Sequence, residues 1–265
     1  MNVQVYQFYV EPQSPSKNET KIKKLIAENI QDETEVIVLP EMWNNGYALQ
    51  ALKENADSHL QRSFQFIKSL ALHYNVDIIA GSVSNRENES IFNTAFAVNR
   101  HGEKIYNYHK IHLVPMLNEP NYLDAGHNVP YMFELSDGTP VSQIICYDLR
   151  FPELTRYPAA SGAKVMFYVA QWPDVRLNHW CKLLQARAIE NNMYVIAANT
   201  CGSDGNTIFA GHSLVINPNG DIIAEANQVE TVLNVKLNLN EVDEQRKKIP
   251  VFDNLRPEVY QHFTK

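Results

Sequence analysis

Between Met1 and Leu39 the apolar positions change period twice. Val3 and Val5 alternate with polar neighbours, and Phe8 and Val10 extend the run, which predicts a first strand. Ile22, Leu25, Ile26 and Ile30 then recur at helical spacing, and Ser16 and Glu19 have the spacing of a capping box at the start of that helix. Val36-Ile37-Val38-Leu39 is unbroken and apolar, as a short buried strand should be, and it ends at Pro40-Glu41. The alternation of periods continues. Leu60, Phe64, Ile67, Ala71 and Tyr74 mark a second amphipathic helix; 76–83, 91–98 and 104–108 read as strands, the last following a turn at His101-Gly102. Residues 111–130, with Pro115, Pro120, Gly126 and Pro130, read as loop. Asp137-Gly138 turns the chain into a strand over 141–145 that stops at Cys146. Pro152 opens a helix to about Ser161, and 164–170 is another buried strand. Leu177, Cys181, Leu184 and Ala188 line one face of a helix from about 175 to 191. A strand at 193–200, a hairpin from His212 to Ala224 around Asn217-Pro218-Asn219-Gly220, a strand at 231–237, and a polar helix and tail complete the pattern.

Strands and helices interleave without a linker or an internal repeat, so the expectation is a single α/β domain over 1–265. Frequent hairpins require the sheets to be mixed, and two sheets with helices on their outer faces would accommodate them. A net charge of −7, with no basic cluster to offset it, argues against a nucleic-acid partner. No apolar run approaches the roughly 18 residues that span a bilayer, so no membrane partner is expected. The N-terminus lacks the basic flank and apolar block of a signal peptide, and three widely spaced cysteines make no disulfide framework. The expected compartment is the cytoplasm.

Three reactive side chains share one property. Glu41 follows Val-Ile-Val-Leu-Pro, Lys110 follows Tyr-Asn-Tyr-His, and Cys146 follows Ser-Gln-Ile-Ile, so each stands at or just beyond a strand end, where α/β proteins place active sites. Brought together, the carboxylate would take the thiol proton, and the ammonium would lower the thiol pKa and then stabilise an oxyanion. Singly, each has a plainer reading: a cysteine at a strand end as a small buried hydrophobe, a glutamate as a turn residue, a lysine as surface charge. Spacing does not decide between these, because the three lie far apart. His109 and His112 fall on opposite faces of a strand, which disfavours a metal site built from them. No nucleophile elbow, P-loop or dinucleotide fingerprint is present.

The segments around these residues carry more. Leu39-Pro40-Glu41-Met42-Trp43, His109-Lys110-Ile111-His112-Leu113 and Ile145-Cys146-Tyr147-Asp148-Leu149-Arg150-Phe151-Pro152-Glu153 resemble the three signature blocks of the nitrilase (carbon–nitrogen hydrolase) superfamily. Gln185-Ala186-Arg187-Ala188-Ile189-Glu190-Asn191 and Gly211-His212-Ser213 match further blocks, in order, so the likeness runs from about residue 2 to residue 260. The resemblance implies a four-layer α-β-β-α sandwich with two mixed sheets, a Glu41-Lys110-Cys146 triad, no metal or organic cofactor, and a homodimer. It implies a second glutamate, best matched by Glu119, that positions the substrate and the lysine. Tyr47 is implied at the pocket edge, and the backbone N–H of Tyr147 in the oxyanion site. Asp148 and Arg150 are expected to form an ion-paired brace behind the nucleophile, Cys181 to lie in the core, and His109 and His212 to be structural. Cys201, beside Gly202, is the rival thiol.

Gln171-Trp172-Pro173, Arg176 and His179-Trp180 resemble the ω-amidase branch, whose members remove the terminal amide from short dicarboxylic monoamides such as 2-oxoglutaramate. In that branch Arg176 would hold the distal carboxylate and Trp172 would wall the pocket; otherwise Arg176 is a helix-surface residue. Sibling activities are amidase action on deaminated glutathione, N-carbamoyl hydrolysis and simple aliphatic amide hydrolysis; nitrile hydrolysis is disfavoured, since the ω-amidase-like blocks fit better. Outside the family stand a papain-like hydrolase pairing Cys146 with His109 or His212, and a non-catalytic binding protein on the same fold.

Overall fold

Alternate residues of the short apolar runs face opposite ways, and this builds the layers. Val36 and Val38 join one buried cluster with Val3, Val5 and Ile79, while Ile37 and Leu39 join another with Tyr6, Ile78 and Ala80. A computed structural model describes residues 1–260 of the chain, so 261–265 of the expected closing tail lie outside the described residues. The first half runs β1 (Asn2–Gln7), α1 (Pro15–Asn29), β2 (Val36–Val38), α2 (Leu52–Asn55), β3 (Asp57–Ser58), α3 (Gln61–Tyr74), β4 (Asp77–Glu87), β5 (Ser90–Val98) and β6 (Lys104–His109). The second half begins with β7 (Phe133–Glu134), β8 (Pro140–Ile145), α4 (Glu153–Ala160), β9 (Val165–Ala170), α5 (Leu177–Asn191) and β10 (Tyr194–Asn199). It continues through β11 (Cys201–Ser203), β12 (Ile208–Ala210), β13 (Leu214–Ile216), β14 (Ile222–Glu225), β15 (Thr231–Lys236), α6 (Asn240–Lys248) and α7 (Pro257–Tyr260).

Two mixed sheets result. One has the order β15-β1-β2-β4-β5-β6, with β3 pairing β4, and the other β14-β13-β10-β9-β8-β7. The sheets pack face to face through β1 on β10, β4 on β9 and β5 on β8. Ile22 and Ile26 of α1 and Phe66, Ile67 and Leu70 of α3 cover the outer face of the first sheet. Trp180, Leu184 and Ala188 of α5, with Leu154 of α4, cover the second. The architecture is therefore an α-β-β-α sandwich. Each fully buried Ile or Leu in these layers contributes roughly 1.5–3 kcal/mol.

β8, β9 and β10 run parallel, and β9 is buried along its whole length, which explains why Val-Met-Phe-Tyr-Val-Ala has no polar alternation. β2 is parallel to β4, and β6 lies two antiparallel steps from β4, so β2 and β6 end on the same side.

One local expectation fails. The α1 cap is Ser14, without a side-chain cap bond, and Pro15 supplies the first turn. Ser16 and Glu19 lie inside the helix and take hydrogen bonds from the Arg62 guanidinium of α3 instead. The spacing of a capping box was present, but the helix starts earlier because Pro is pre-organised for that position.

Candidate active site

Glu41 sits just past β2 on a turn stitched to β4. The Met42 amide donates to Ser82 Oγ (3.0 Å), the Trp43 amide to the Ser82 carbonyl (3.1 Å), and the Trp43 indole to the Ala80 carbonyl (2.7 Å). β4 bulges between Ile79 and Ser82, and Gly81 there has φ +62°. A Cβ at Gly81 would stand 2.0 Å from the Pro40 carbonyl oxygen, so only glycine lets the strand approach this closely. Lys110 follows β6 directly, its backbone held by the Asn93 carbonyl (2.9 Å) and by the Gly126 amide (2.9 Å).

Cys146 begins a 3-10 turn, Cys146–Arg150, at the end of β8, and its φ is +46°. A non-glycine residue in that left-handed conformation costs about 1–2 kcal/mol, and it lifts the side chain out of the strand direction. The turn is fastened from two sides. Arg187 of α5 donates to the Leu149 carbonyl at 2.8 and 3.2 Å. Buried Asp148 accepts from the Tyr108 hydroxyl (2.8 Å), the His112 amide (3.1 Å) and His112 Nδ1 (3.0 Å). Tyr108 and His112 flank Lys110, so Asp148 locks the cysteine turn to the lysine segment.

The expected triad and second glutamate meet. Lys110 Nζ lies 3.1 Å from Glu41 Oε1 and 2.8 and 3.1 Å from the two oxygens of Glu119, and all three side chains are fully buried. Glu119 Oε2 also accepts the Val114 amide (2.7 Å). Glu41 takes Asn93 Nδ2 (2.8 Å) on one oxygen and the Gln171 amide (2.7 Å) on the other, while Gln171 Nε2 holds the Glu41 carbonyl (2.8 Å). Tyr47 reaches this cluster with its hydroxyl, 2.6 Å from Glu119 and 3.1 Å from Glu41. Burial opposes the Lys110 charge, but Glu119 and Glu41 outweigh it and hold the ammonium well above lysine's ordinary value.

The Cys146 thiol is under opposing influences. Burial and then the Glu41 carboxylate push Cys146 well above the ordinary thiol value, against the downward pull of Lys110. Burial and the neighbouring base thus favour the protonated thiol, while the ammonium favours the thiolate. A base, a protonated nucleophile and a fixed cation in one dry space can add sulfur to a polarised carbonyl.

A carbon–nitrogen hydrolase family model matches residues 3–247. The chain belongs to the carbon–nitrogen hydrolase family. It is similar to a protein of Staphylococcus aureus named "Hydrolase in agr operon", at 59% identity over 98% of this chain and 100% of that one. It is 42% identical to a 2-oxoglutaramate amidase of Bacillus subtilis, over 96% of this chain and 97% of the relative. A solved CN-hydrolase superfamily protein from Xanthomonas campestris, with an arsenic adduct in its active site, superposes with a TM-score of 0.89 at 27% identity, covering 97% of each chain. These likenesses put the chain in the nitrilase superfamily, in its ω-amidase-like branch, and make it an amidase acting on carbon–nitrogen bonds.

In this carbon–nitrogen hydrolase the space over Cys146 is narrow, about 20 Å³, and Tyr147, Arg150, Trp172 and Arg176 line it with Met116 and Leu117. The expected Asp148–Arg150 ion pair does not form. Asp148 points inward to Tyr108 and His112, whereas the Arg150 guanidinium lies over Trp172 (4.9 Å to the ring centroid) and Tyr147 (5.7 Å), with His179 Nδ1 at 3.4 Å. Neighbours in sequence point apart here because the turn rotates each successive side chain. Trp172 donates its indole N–H to the Arg176 carbonyl (2.8 Å), which fixes both at the rim. The papain-like alternative falls with the family, and its candidate histidines are engaged elsewhere: His109 with Thr94, His212 with Glu225. Cys201 is buried in the β11–β12 hairpin, outside the pocket lining, with burial pushing its thiol up to about 11.

Asn93, Gln171 and Arg150 reach the site beyond the residues expected in it, Gln171 from the branch motif and Arg150 from its expected place beside Asp148. Gln171, immediately after a buried strand, carried the same strand-end signal as Glu41 and Cys146. Asn93 lies inside a strand pattern, and nothing local distinguishes it.

Proposed function

We propose that this amidase removes the terminal amide of short dicarboxylic monoamides, such as 2-oxoglutaramate, through a thioester on Cys146. One observation carries the reading: Arg150 and Arg176 both line the pocket over Cys146, and among the described residues neither has a carboxylate partner. Two arginines among the lining residues of an otherwise apolar cavity suit a substrate whose far end is a carboxylate. The 2-oxoglutaramate amidase of Bacillus subtilis is a relative that supports the same choice.

The geometry supports a two-stage reaction. Glu41 takes the Cys146 proton, and sulfur attacks the amide carbon. The oxyanion is held by the Lys110 ammonium and the Tyr147 backbone N–H, whose place in the first turn leaves it without a partner in the helix. Each donor contributes about 3 kcal/mol to lowering the barrier. Glu41 returns the proton to departing ammonia, then deprotonates the water that opens the thioester. A homodimer, as the family resemblance implies, is to be checked by light scattering. Three unpaired cysteines support a cytoplasmic setting.

The test is ammonia release from 2-oxoglutaramate and succinamate against butyramide, which lacks the carboxylate. Cys146→Ala should abolish turnover of all three. Arg150→Met should raise KM for the two acids by roughly 10- to 100-fold, the value of a charge-assisted hydrogen bond, and leave butyramide unchanged. Equal use of acid and neutral amide by the wild type would overturn the substrate assignment, and active Cys146→Ala would overturn the nucleophile.

A further inference from the structure

The Tyr47 hydroxyl lies among charges. Its oxygen is 2.6 Å from Glu119 Oε1, 3.1 Å from Glu41 Oε1 and 3.4 Å from Lys110 Nζ. A phenol has one proton to give and two lone pairs to offer. The shortest contact commits the proton to Glu119, which leaves the oxygen facing Glu41 as an acceptor. Burial, then Glu119 and Glu41, push the phenol well above its ordinary value, so the proton stays on it.

The other neighbours of Glu41 have the opposite character. Oε1 meets Asn93 Nδ2 at 2.8 Å and Lys110 Nζ at 3.1 Å, and Oε2 meets the Gln171 amide at 2.7 Å. All three are donors and none can accept. They suit an ionised carboxylate, but the reaction requires Glu41 to carry a proton while the tetrahedral intermediate exists. A buried O–H without an acceptor costs about 1–3 kcal/mol.

We propose that Tyr47 is a positioning residue for protonated Glu41: its oxygen accepts a hydrogen bond from the proton Glu41 has taken off Cys146, while its own proton remains on Glu119. The inference rests on Glu41 being the base for Cys146. The balance is simple. The S–H bond breaks and a Glu41 O–H forms; no proton passes to or from Tyr47; when the C–N bond breaks, the Glu41 proton leaves with ammonia.

Tyr47→Phe keeps the ring and removes the acceptor. Its kcat on the amide should fall about 10- to 100-fold, with KM within threefold of wild type. A double-mutant cycle with Glu41→Gln, read on a 4-nitrophenyl ester so that slow turnover stays measurable, separates positioning from a general structural role. If Tyr47 acts through Glu41, adding Tyr47→Phe to Glu41→Gln should cost less than threefold. Fully additive losses, an unchanged kcat for Tyr47→Phe, or a loss confined to KM would each overturn the proposal. Glu41→Gln turning over at the wild-type rate would instead overturn the assignment of the base.

Discussion

Replacing Lys110 by Met tests whether the buried charges form one unit. The ammonium lies within 3.1 Å of both Glu41 and Glu119, and none of the three side chains meets solvent. Methionine fills nearly the same stem but carries no charge, so two carboxylates are left facing each other across Tyr47. Removing one member of a buried ion pair costs about 3–5 kcal/mol, because the remaining charge is both desolvated and unpaired. Against a total stability of about 5–15 kcal/mol this is large. At about 2–4 °C per kcal/mol for a chain of this size, the melting temperature should drop by about 6–20 °C. Adding Glu119→Gln removes one of the uncompensated charges, while Glu41 keeps its donors Asn93 and Gln171. The double variant should therefore recover at least about half the loss. Turnover should stay down by at least about 10²-fold in both, since the oxyanion cation is gone in both. The assay is calorimetry at neutral pH with ammonia release on the same preparations. A single variant that melts within about 2 °C of wild type, or a double variant less stable than the single, would refute the reasoning.

Gly81→Ala should destabilise by about 2–5 kcal/mol, from left-handed strain plus the clash with the Pro40 carbonyl, and should lower kcat because Glu41 must move; urea melts and steady-state kinetics check this. Burial pushes the His109 imidazole below its ordinary value, against Glu87 at 3.5 Å, so the unfolded chain binds that proton more readily than the fold does. The stability contributed by keeping His109 neutral is thus present above about pH 6.5 and is lost as pH falls below it. Relative to His109→Gln, wild type should weaken between about pH 7 and pH 5, and a gap that does not change with pH in denaturant melts would contradict the sign.

The layers were legible because periodicity is local. Val-Ile-Val-Leu before Glu41 and Val-Met-Phe-Tyr-Val-Ala before Gln171 read as buried strands, and both are. Legibility failed where a polar residue is buried by a distant partner. β4 runs on to Glu87, past the apolar stretch that ends at Val83, because Ser84 is satisfied by Asn44 and Asn45. The β11–β12 hairpin was not foreseen, since its residues are few and partly exposed.

The amino-acid order alone determined the alternation of strands and helices, their burial, and which acid, amine and thiol stand at strand ends, because those properties depend on spacing between covalent neighbours. Only the folded chain decided that Lys110 meets a carboxylate 69 residues away, that Gln171 clamps one 130 residues away, and that Asp148 turns inward while Arg150 turns to the pocket. Those contacts follow from sheet register and from how two sheets stack, and neither is written in any local run of residues.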